Sequence, residues 1–402
     1  MKNPKSNSNA GSIWTIGQYL VKPTQTLCEL GQSLWLDNIT RGLLTSGTLA
    51  NYVRDFSITG LTSNPTIFKH AIINSHDYDV AIRTKLKEGK RGEELFFEMA
   101  LEDLREAADL FRPAHDRSSG VDGWASLEVS PVLADDTAGT IEAAKALFAS
   151  AERPNIFIKI PGTKAGIPAI EESIFAGVPI NVTLLFSSEQ YIAAAEAFLR
   201  GVERRMAAGL RSDVPSVASL FVSRWDVAVA GRVAEILNNR LGIAVARKTY
   251  KAYCQLLDLP RWQRIFNAGA RPQRLLWAST GTKDPKASDI LYVESLAAPL
   301  TINTLTETTL KAFADHGQTG QLMPRDGGDC EAVLAEFSEA GVDIEALADQ
   351  LQKEGVESFV KSWNELIESI TSKTIDLGKA GSTASSEHSV RAAETEVRWH
   401  KA

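Results

Sequence analysis

A chain of 402 residues can hold one large α/β domain or two average ones, and it is long enough to bury a core without disulfides or metal. Its net charge of -7 comes from interspersed charges of both signs, which gives no footing to a nucleic-acid or membrane partner but leaves room for a local basic site that holds a phosphorylated metabolite. Cys28, Cys254 and Cys330 are far apart and the six histidines are scattered, so neither a disulfide framework nor zinc chemistry is expected, and a reducing compartment is.

In chain order, residues 1–29 read as a polar, partly disordered segment. Met1 to Ser12 lacks the apolar stretch of a secretory signal, and no apolar run approaches membrane-spanning length, so a cytoplasmic protein is expected. Eight short β-rich runs follow: Leu34–Asn38, Ile58–Asn64, Ala125–Pro131, Asn155–Pro161, Ile180–Phe186, Val217–Ser223, Arg274–Thr280 and Pro299–Leu305. Helical patterns separate them. In Glu93–Arg112 the apolar residues Phe97, Leu101, Leu104, Ala108 and Phe111 fall at 4-3-4-3 spacing, and Pro113 is expected to stop the helix. Ser187-Ser-Glu-Gln190 has the form of a capping box and opens a helix carrying Tyr191 to Met206. Asp226–Leu241 and Pro285–Leu296 fit the same alternation. Phe359, Trp363, Leu366 and Ile370 make the stripe of a C-terminal helix packed on the body, read as core without chemistry. Residues 379–402 read as a polar, mobile tail that Trp399 could dock.

Eight strand–helix alternations predict a closed (β/α)8 TIM barrel over residues 30–378, with extra helices in the long stretches after the second and sixth strands. An open doubly wound sheet would call for a Gly-rich turn after the first strand, and Asp37-Asn-Ile-Thr-Arg-Gly42 is not one.

The fourth strand holds the residue that points to chemistry. A parallel strand covered on both faces is normally close to continuously apolar, yet Asn155-Ile-Phe-Ile-Lys-Ile-Pro161 carries Lys159. An ammonium stripped of water loses its main stabilisation, which favours the neutral amine that attacks carbonyls and forms Schiff bases. The bland reading is a lysine that snorkels to water from a strand end. Side chains alternate along a strand, so parity decides between the two. Ile156, Ile158 and Ile160 share the helix-facing side and Asn155, Phe157 and Lys159 share the interior. The same test places Glu128 opposite Leu127 and Val129. It places Asn181 and Thr183 opposite Ile180, Val182 and Leu184, and Ser219 and Phe221 opposite Leu220 and Val222. Asp37 and Asn64 stand at the ends of the first two strands. Six consecutive strands thus aim a polar group inward near their C-terminal ends, where barrel enzymes keep their active sites.

These residues lie in segments that resemble transaldolase: Leu36-Asp-Asn-Ile-Thr-Arg41, Gly60-Leu-Thr-Ser-Asn-Pro-Thr-Ile-Phe68, Ile158-Lys-Ile-Pro-Gly-Thr163, Asn181-Val-Thr-Leu-Leu-Phe186 and Ser219-Leu-Phe-Val-Ser-Arg224. The likeness spans residues 30–370 and is nearer to the longer bacterial branch of the family. It implies a cofactor-free enzyme of the pentose phosphate pathway. Such an enzyme moves a dihydroxyacetone unit from sedoheptulose 7-phosphate or fructose 6-phosphate to glyceraldehyde 3-phosphate or erythrose 4-phosphate, as a monomer or homodimer. On the matching positions it implies Lys159 as the Schiff-base lysine and Asp37 as the acid/base group at C3–C4 cleavage. Glu128 with Thr183 would position a water, and Asn64, Asn181 and Ser219 would hold the three-carbon unit. Arg224 would bind phosphate. The short branch has a second arginine after the seventh strand. Here that region reads Trp277-Ala-Ser-Thr-Gly-Thr-Lys283, which leaves Lys283 as the substitute candidate, or as a solvated loop lysine. Related aldolases that release dihydroxyacetone from fructose 6-phosphate are shorter and carry tyrosine where this chain has Phe221. An apolar ring there leaves the trapped carbanion less readily protonated and favours transfer. A barrel kept only as a binding protein would be expected to lack the lysine or a carboxylate.

Overall fold

Eight runs rich in β-branched, leucine and aromatic residues form β1 (Gln32–Leu36), β2 (Ile58–Thr62), β3 (Trp124–Glu128), β4 (Ile156–Pro161), β5 (Ile180–Leu185), β6 (Ser216–Phe221), β7 (Arg274–Ala278) and β8 (Thr301–Leu305). Each pairs in parallel with its sequence neighbours, and β8 returns to β1 to close a (β/α)8 barrel with surrounding helices. The computed structural model describes the backbone of residues 21–399 and the side chains of residues 21–377. What was expected of residues 1–20 and 400–402, and of the Trp399 side chain, lies outside the described residues. A short helix, Pro23–Glu29, precedes the barrel, and a long closing helix, Ile344–Trp399, follows it.

The apolar core divides as the strand parity requires. Leu34, Leu127, Ile156, Ile158, Ile160, Ile180, Val182 and Leu220 pack outward against the helices. Trp35, Trp124, Phe157, Val217, Leu276 and Ile302 fill the barrel interior, with the Phe157 ring 4.2 Å from that of Trp124 and 6.0 Å from that of Trp35. Each such buried side chain contributes about 1.5–3 kcal/mol. Gly60 makes room for the plug, since a Cβ there would lie 2.6 Å from the Trp35 indole and 2.7 Å from the Trp124 carbonyl oxygen. At the closed end the Arg274 guanidinium donates to Ser33 Oγ at 2.6 Å and to Thr301 O at 2.8 Å. The interior is therefore a solid floor, and only the C-terminal end of the strands is open to a ligand.

Six strands (β1, β2, β3, β5, β6 and β7) end one to three residues sooner than their composition suggests. Asn64 leaves β2 to cap the Pro65–Asn74 helix, its Oδ1 accepting from Thr66 N at 3.0 Å. The parity of β5 also fails at one place. Leu184 belongs to the interior cluster, not the outer one, because its φ of 58° turns the chain and shifts the register with β6 between Val182 and Leu185.

Three helix expectations are corrected. Pro113 does not stop its helix, which runs Gly92–Arg117. The proline lies on an exposed face in the last turns, and Asp109, whose carbonyl it leaves without an intrahelical donor, is exposed as well. Asp226–Leu241 is not one helix: Ser223–Val229 ends before Gly231, at φ 71°, and a new helix, Leu241–Asp258, begins. Asp226 causes part of this, since its carboxylate accepts from Leu241 N at 2.9 Å and Gly242 N at 3.1 Å and so caps the second helix. Pro285–Leu296 shortens to Leu291–Ser295, because Asp284 Oδ1 takes the Lys286 N–H at 2.9 Å in a local turn. The capping box is half present. Ser187 Oγ accepts from Gln190 N at 3.1 Å, but Gln190 Oε1 reaches Phe186 N at 2.8 Å, one residue before the cap.

Candidate active site

The barrel register sets the site. Glu128 on β3 stands beside Lys159 on β4, and Lys159 stands beside Asn181 on β5. Lys159 Nζ lies 3.3 Å from Glu128 Oε2 and 3.5 Å from the Ser63 carbonyl oxygen. Glu128 is buried, and neither of its oxygens has a well-aligned hydrogen bond, so the contact with Lys159 is an ion-pair approach without hydrogen-bond alignment. Burial pushes its carboxyl above the usual range; Lys159 opposes this and the charge of Asp37 adds to it. Asp37 follows β1, where its N–H donates to Leu305 O at 2.8 Å. Burial raises its carboxyl too, with Lys159 and hydrogen bonds from Thr62 and Asn64 pulling the other way; Thr62 Oγ1 donates to Asp37 Oδ1 at 2.9 Å. Two buried carboxyls flank a single lysine. Both carboxyls cannot be ionised at low cost, so burial favours a proton on one of them, as general acid–base chemistry requires.

Above them is a cavity of about 240 Å³. Asp37, Asn64, Lys159, Thr183, Ser219, Phe221, Arg224 and Lys283 all line it, so eight of the ten residues singled out from the sequence meet in one space. The Thr183 hydroxyl is buried and has no partner among the described residues, which leaves it free for water or a ligand. Glu128 and Asn181 lie beneath the cavity. Asn181 is committed at both ends: its Nδ2 donates to Ser126 Oγ at 3.2 Å and its Oδ1 accepts from Ser219 Oγ at 2.7 Å.

Two cations guard the mouth. Arg224 sits at the start of the Ser223–Val229 helix, half-buried, its guanidinium 5.2 Å from the Phe221 ring. Burial lowers its pKa, and the nearby charge of Glu354 only partly offsets this. Lys283 is exposed on the loop after β7. Among the described residues no group of three His, Cys, Asp or Glu is placed to hold a metal, and no helix is long and apolar enough to cross a membrane.

Sequence reasoning missed several lining residues. Thr62, which holds Asp37, shares the parity of Gly60 and Asn64, so the alternation test applied to β2 would have found it. Phe359 was read as core. Its stripe partners Trp363, Leu366 and Ile370 do pack in the outer cluster, but Phe359 packs on the interior one and lines the cavity, 5.8 Å from Lys159 Nζ to ring centre. No local signal separates it from the rest of its stripe.

A family model described as Transaldolase/Fructose-6-phosphate aldolase matches residues 34–370. The chain is 46% identical over 370 residues to Transaldolase of Parafrankia sp. (strain EAN1pec), covering 90% of this chain and 100% of that protein. It is 43% identical over 357 residues to Transaldolase of Thermobifida fusca (strain YX), covering 87% and 97%. It is 37% identical over 364 residues to Transaldolase 2 of Nostoc sp. (strain PCC 7120 / SAG 25.82 / UTEX 2576), covering 86% and 96%.

Proposed function

The chain belongs to the transaldolase/fructose-6-phosphate aldolase family, and we infer from that premise and from its site that it is a transaldolase acting on sugar phosphates. The observation that carries the reading is a buried lysine between two carboxyls whose pKa values burial raises, under a cavity whose mouth holds an arginine without an ion pair among the described residues. Lys159 Nζ adds to the ketose C2 carbonyl, and loss of water from the carbinolamine gives the imine. Glu128, in contact with Lys159 from below, and the free Thr183 hydroxyl hold the water that carries protons in these steps. Asp37 takes the C4 hydroxyl proton as the C3–C4 bond breaks, the aldose phosphate leaves, and a three-carbon enamine stays on Lys159. When an acceptor aldehyde enters, C3 attacks it and Asp37 returns the proton to the new alkoxide.

Asn64 and Ser219 face the cavity and hold the hydroxyls of the three-carbon unit, while Asn181 acts through Ser219 from beneath. Arg224 binds the phosphate in its planar fork, and Lys283 adds a second positive charge at the mouth. We infer a monomer or a homodimer. Three free cysteines suit the reducing cytoplasm. The apolar Phe221 favours transfer over release of free dihydroxyacetone. The test is to incubate the protein with fructose 6-phosphate and borohydride and map the modified peptide by mass spectrometry. A three-carbon adduct on Lys159 is expected, and in a parallel reaction without borohydride the addition of erythrose 4-phosphate should give sedoheptulose 7-phosphate. An adduct elsewhere, or none, ends the proposal.

A further inference from the structure

A transferase of this kind has a problem that the catalytic residues do not solve. The enamine on Lys159 must wait for an aldehyde without taking a proton from water. If C3 is protonated, the enamine becomes an iminium; water then adds across C=N, dihydroxyacetone leaves and the amine of Lys159 is restored. The three-carbon unit is lost, with every atom accounted for. Something must keep water from C3 while the acceptor site is vacant.

The closing helix lies over the mouth, and three of its residues, Gln352, Gly355 and Phe359, fall at i, i+3 and i+7 on one face. Each makes a distinct contact. Gln352 Nε2 donates to Gly162 O at 3.1 Å and to Leu184 O at 2.9 Å, which ties the helix to the ends of β4 and β5. The second of these carbonyls belongs to the residue whose left-handed backbone breaks the ladder between β5 and β6. Gly355 lets the helix come close: a Cβ there would stand 3.1 Å from Leu184 Cδ2 and 3.4 Å from Arg224 Nη1. Phe359 then reaches down, its ring centre 5.8 Å from Lys159 Nζ and 6.4 Å from that of Phe221, which in turn lies 5.4 Å from Phe186. The barrel interior and the underside of this helix form one continuous apolar cluster.

We propose that this Gln352–Gly355–Phe359 stripe is a specificity-determining roof that keeps water from the Lys159 adduct and so commits the enzyme to transfer over release. The inference rests on the transaldolase reading. An anchored aromatic ring beside the reacting nitrogen excludes water from one side of the adduct, while Arg224 and Lys283 mark the polar side by which a phosphorylated aldehyde enters.

The experiment compares the unaltered enzyme with Phe359→Ala, Phe359→Leu and Gln352→Ala. With fructose 6-phosphate and erythrose 4-phosphate, dihydroxyacetone released is measured against sedoheptulose 7-phosphate formed. In Phe359→Ala the ratio is expected to rise about tenfold, equivalent to ~1.4 kcal/mol in the barrier to protonation. Phe359→Leu restores apolar volume and brings the ratio back toward the original. Gln352→Ala leaves every cavity residue in place but frees the helix, and raises the ratio by a smaller factor. In deuterium oxide the extra dihydroxyacetone should carry deuterium on the carbon that was C3, which ties its release to protonation of the enamine by solvent. An unchanged ratio in the variants that fold, with the borohydride adduct still formed on Lys159, overturns the roof. Failure of the unaltered enzyme to form that adduct overturns the functional reading itself.

Discussion

Replacing Arg224 by alanine separates phosphate recognition from the chemistry at Lys159. The guanidinium lines the cavity, is half-buried and has no carboxylate within ion-pair distance among the described residues, so apart from the more distant charge of Glu354 it is available to a ligand. A hydrogen bond to a charged group contributes about 1.5–3 kcal/mol, and a guanidinium fork makes two. Partial exposure screens part of this, which leaves a net loss of ~3 kcal/mol, or a fall of about 100-fold in kcat/KM for fructose 6-phosphate. Arg224→Lys keeps the charge without the fork, and a fall of about tenfold is expected. The decisive comparison is fructose without its phosphate, assayed with the same acceptor at saturating concentration. Because no donor phosphate is present, the two variants should differ from the original enzyme far less in kcat/KM for fructose. An equal loss with fructose and fructose 6-phosphate would refute the assignment, since Arg224 would then be supporting the cavity and not binding the phosphate.

Glu128→Gln keeps the shape beneath Lys159 but removes the proton carrier, so the rate of borohydride-trapped adduct formation should drop by about 10²–10⁴ while KM for the donor changes little. An unaltered trapping rate would remove Glu128 from Schiff-base formation. Asp226 makes a pH prediction for stability: burial raises its carboxyl from 3.8 to about 6, with the hydrogen bonds from Tyr292, Gly242 and Leu241 opposing. The native state therefore holds a proton that the unfolded chain has lost, so stability from this group is fully present below about pH 4 and is lost as pH rises through about 6, a change of about 3 kcal/mol. Urea unfolding of Asp226→Asn between pH 4 and 7 should lack this component, and an unchanged pH slope would show that Asp226 does not titrate there.

The strands were legible because their physics is local. A covered parallel strand must be apolar, and its alternation must separate helix-facing from interior residues, so Lys159, Glu128, Thr183 and Ser219 could be placed inside a barrel from the sequence alone. The misplaced features depend on contacts made across the fold. Leu184 breaks parity because of one backbone angle, and that angle leaves a carbonyl for Gln352, 168 residues away in the chain. Asp226 ends one helical pattern by capping another. Phe359 looks like Trp363 in sequence, and only the position of the helix over the mouth gives it a different neighbour.

Burial is the common cause behind the raised carboxyls of the proposed site, Asp37 and Glu128. A fully solvated carboxyl near pH 7 has no proton to give, and an ion pair in water would hold Lys159 loosely. Beneath the cavity, desolvation raises both Asp37 and Glu128, and one cation cannot stabilise both carboxylates. Imine formation moves protons between nitrogen and oxygen, and bond cleavage moves one from the C4 hydroxyl. On the proposed mechanism, a carboxyl poised to hold a proton would serve the first process from below, at Glu128, and the second from the side, at Asp37. The solid aromatic floor that closes the barrel beneath them is what sustains the desolvation. Filling the barrel with Trp35, Trp124 and Phe157 therefore stabilises the fold and closes the underside of the site to water at once.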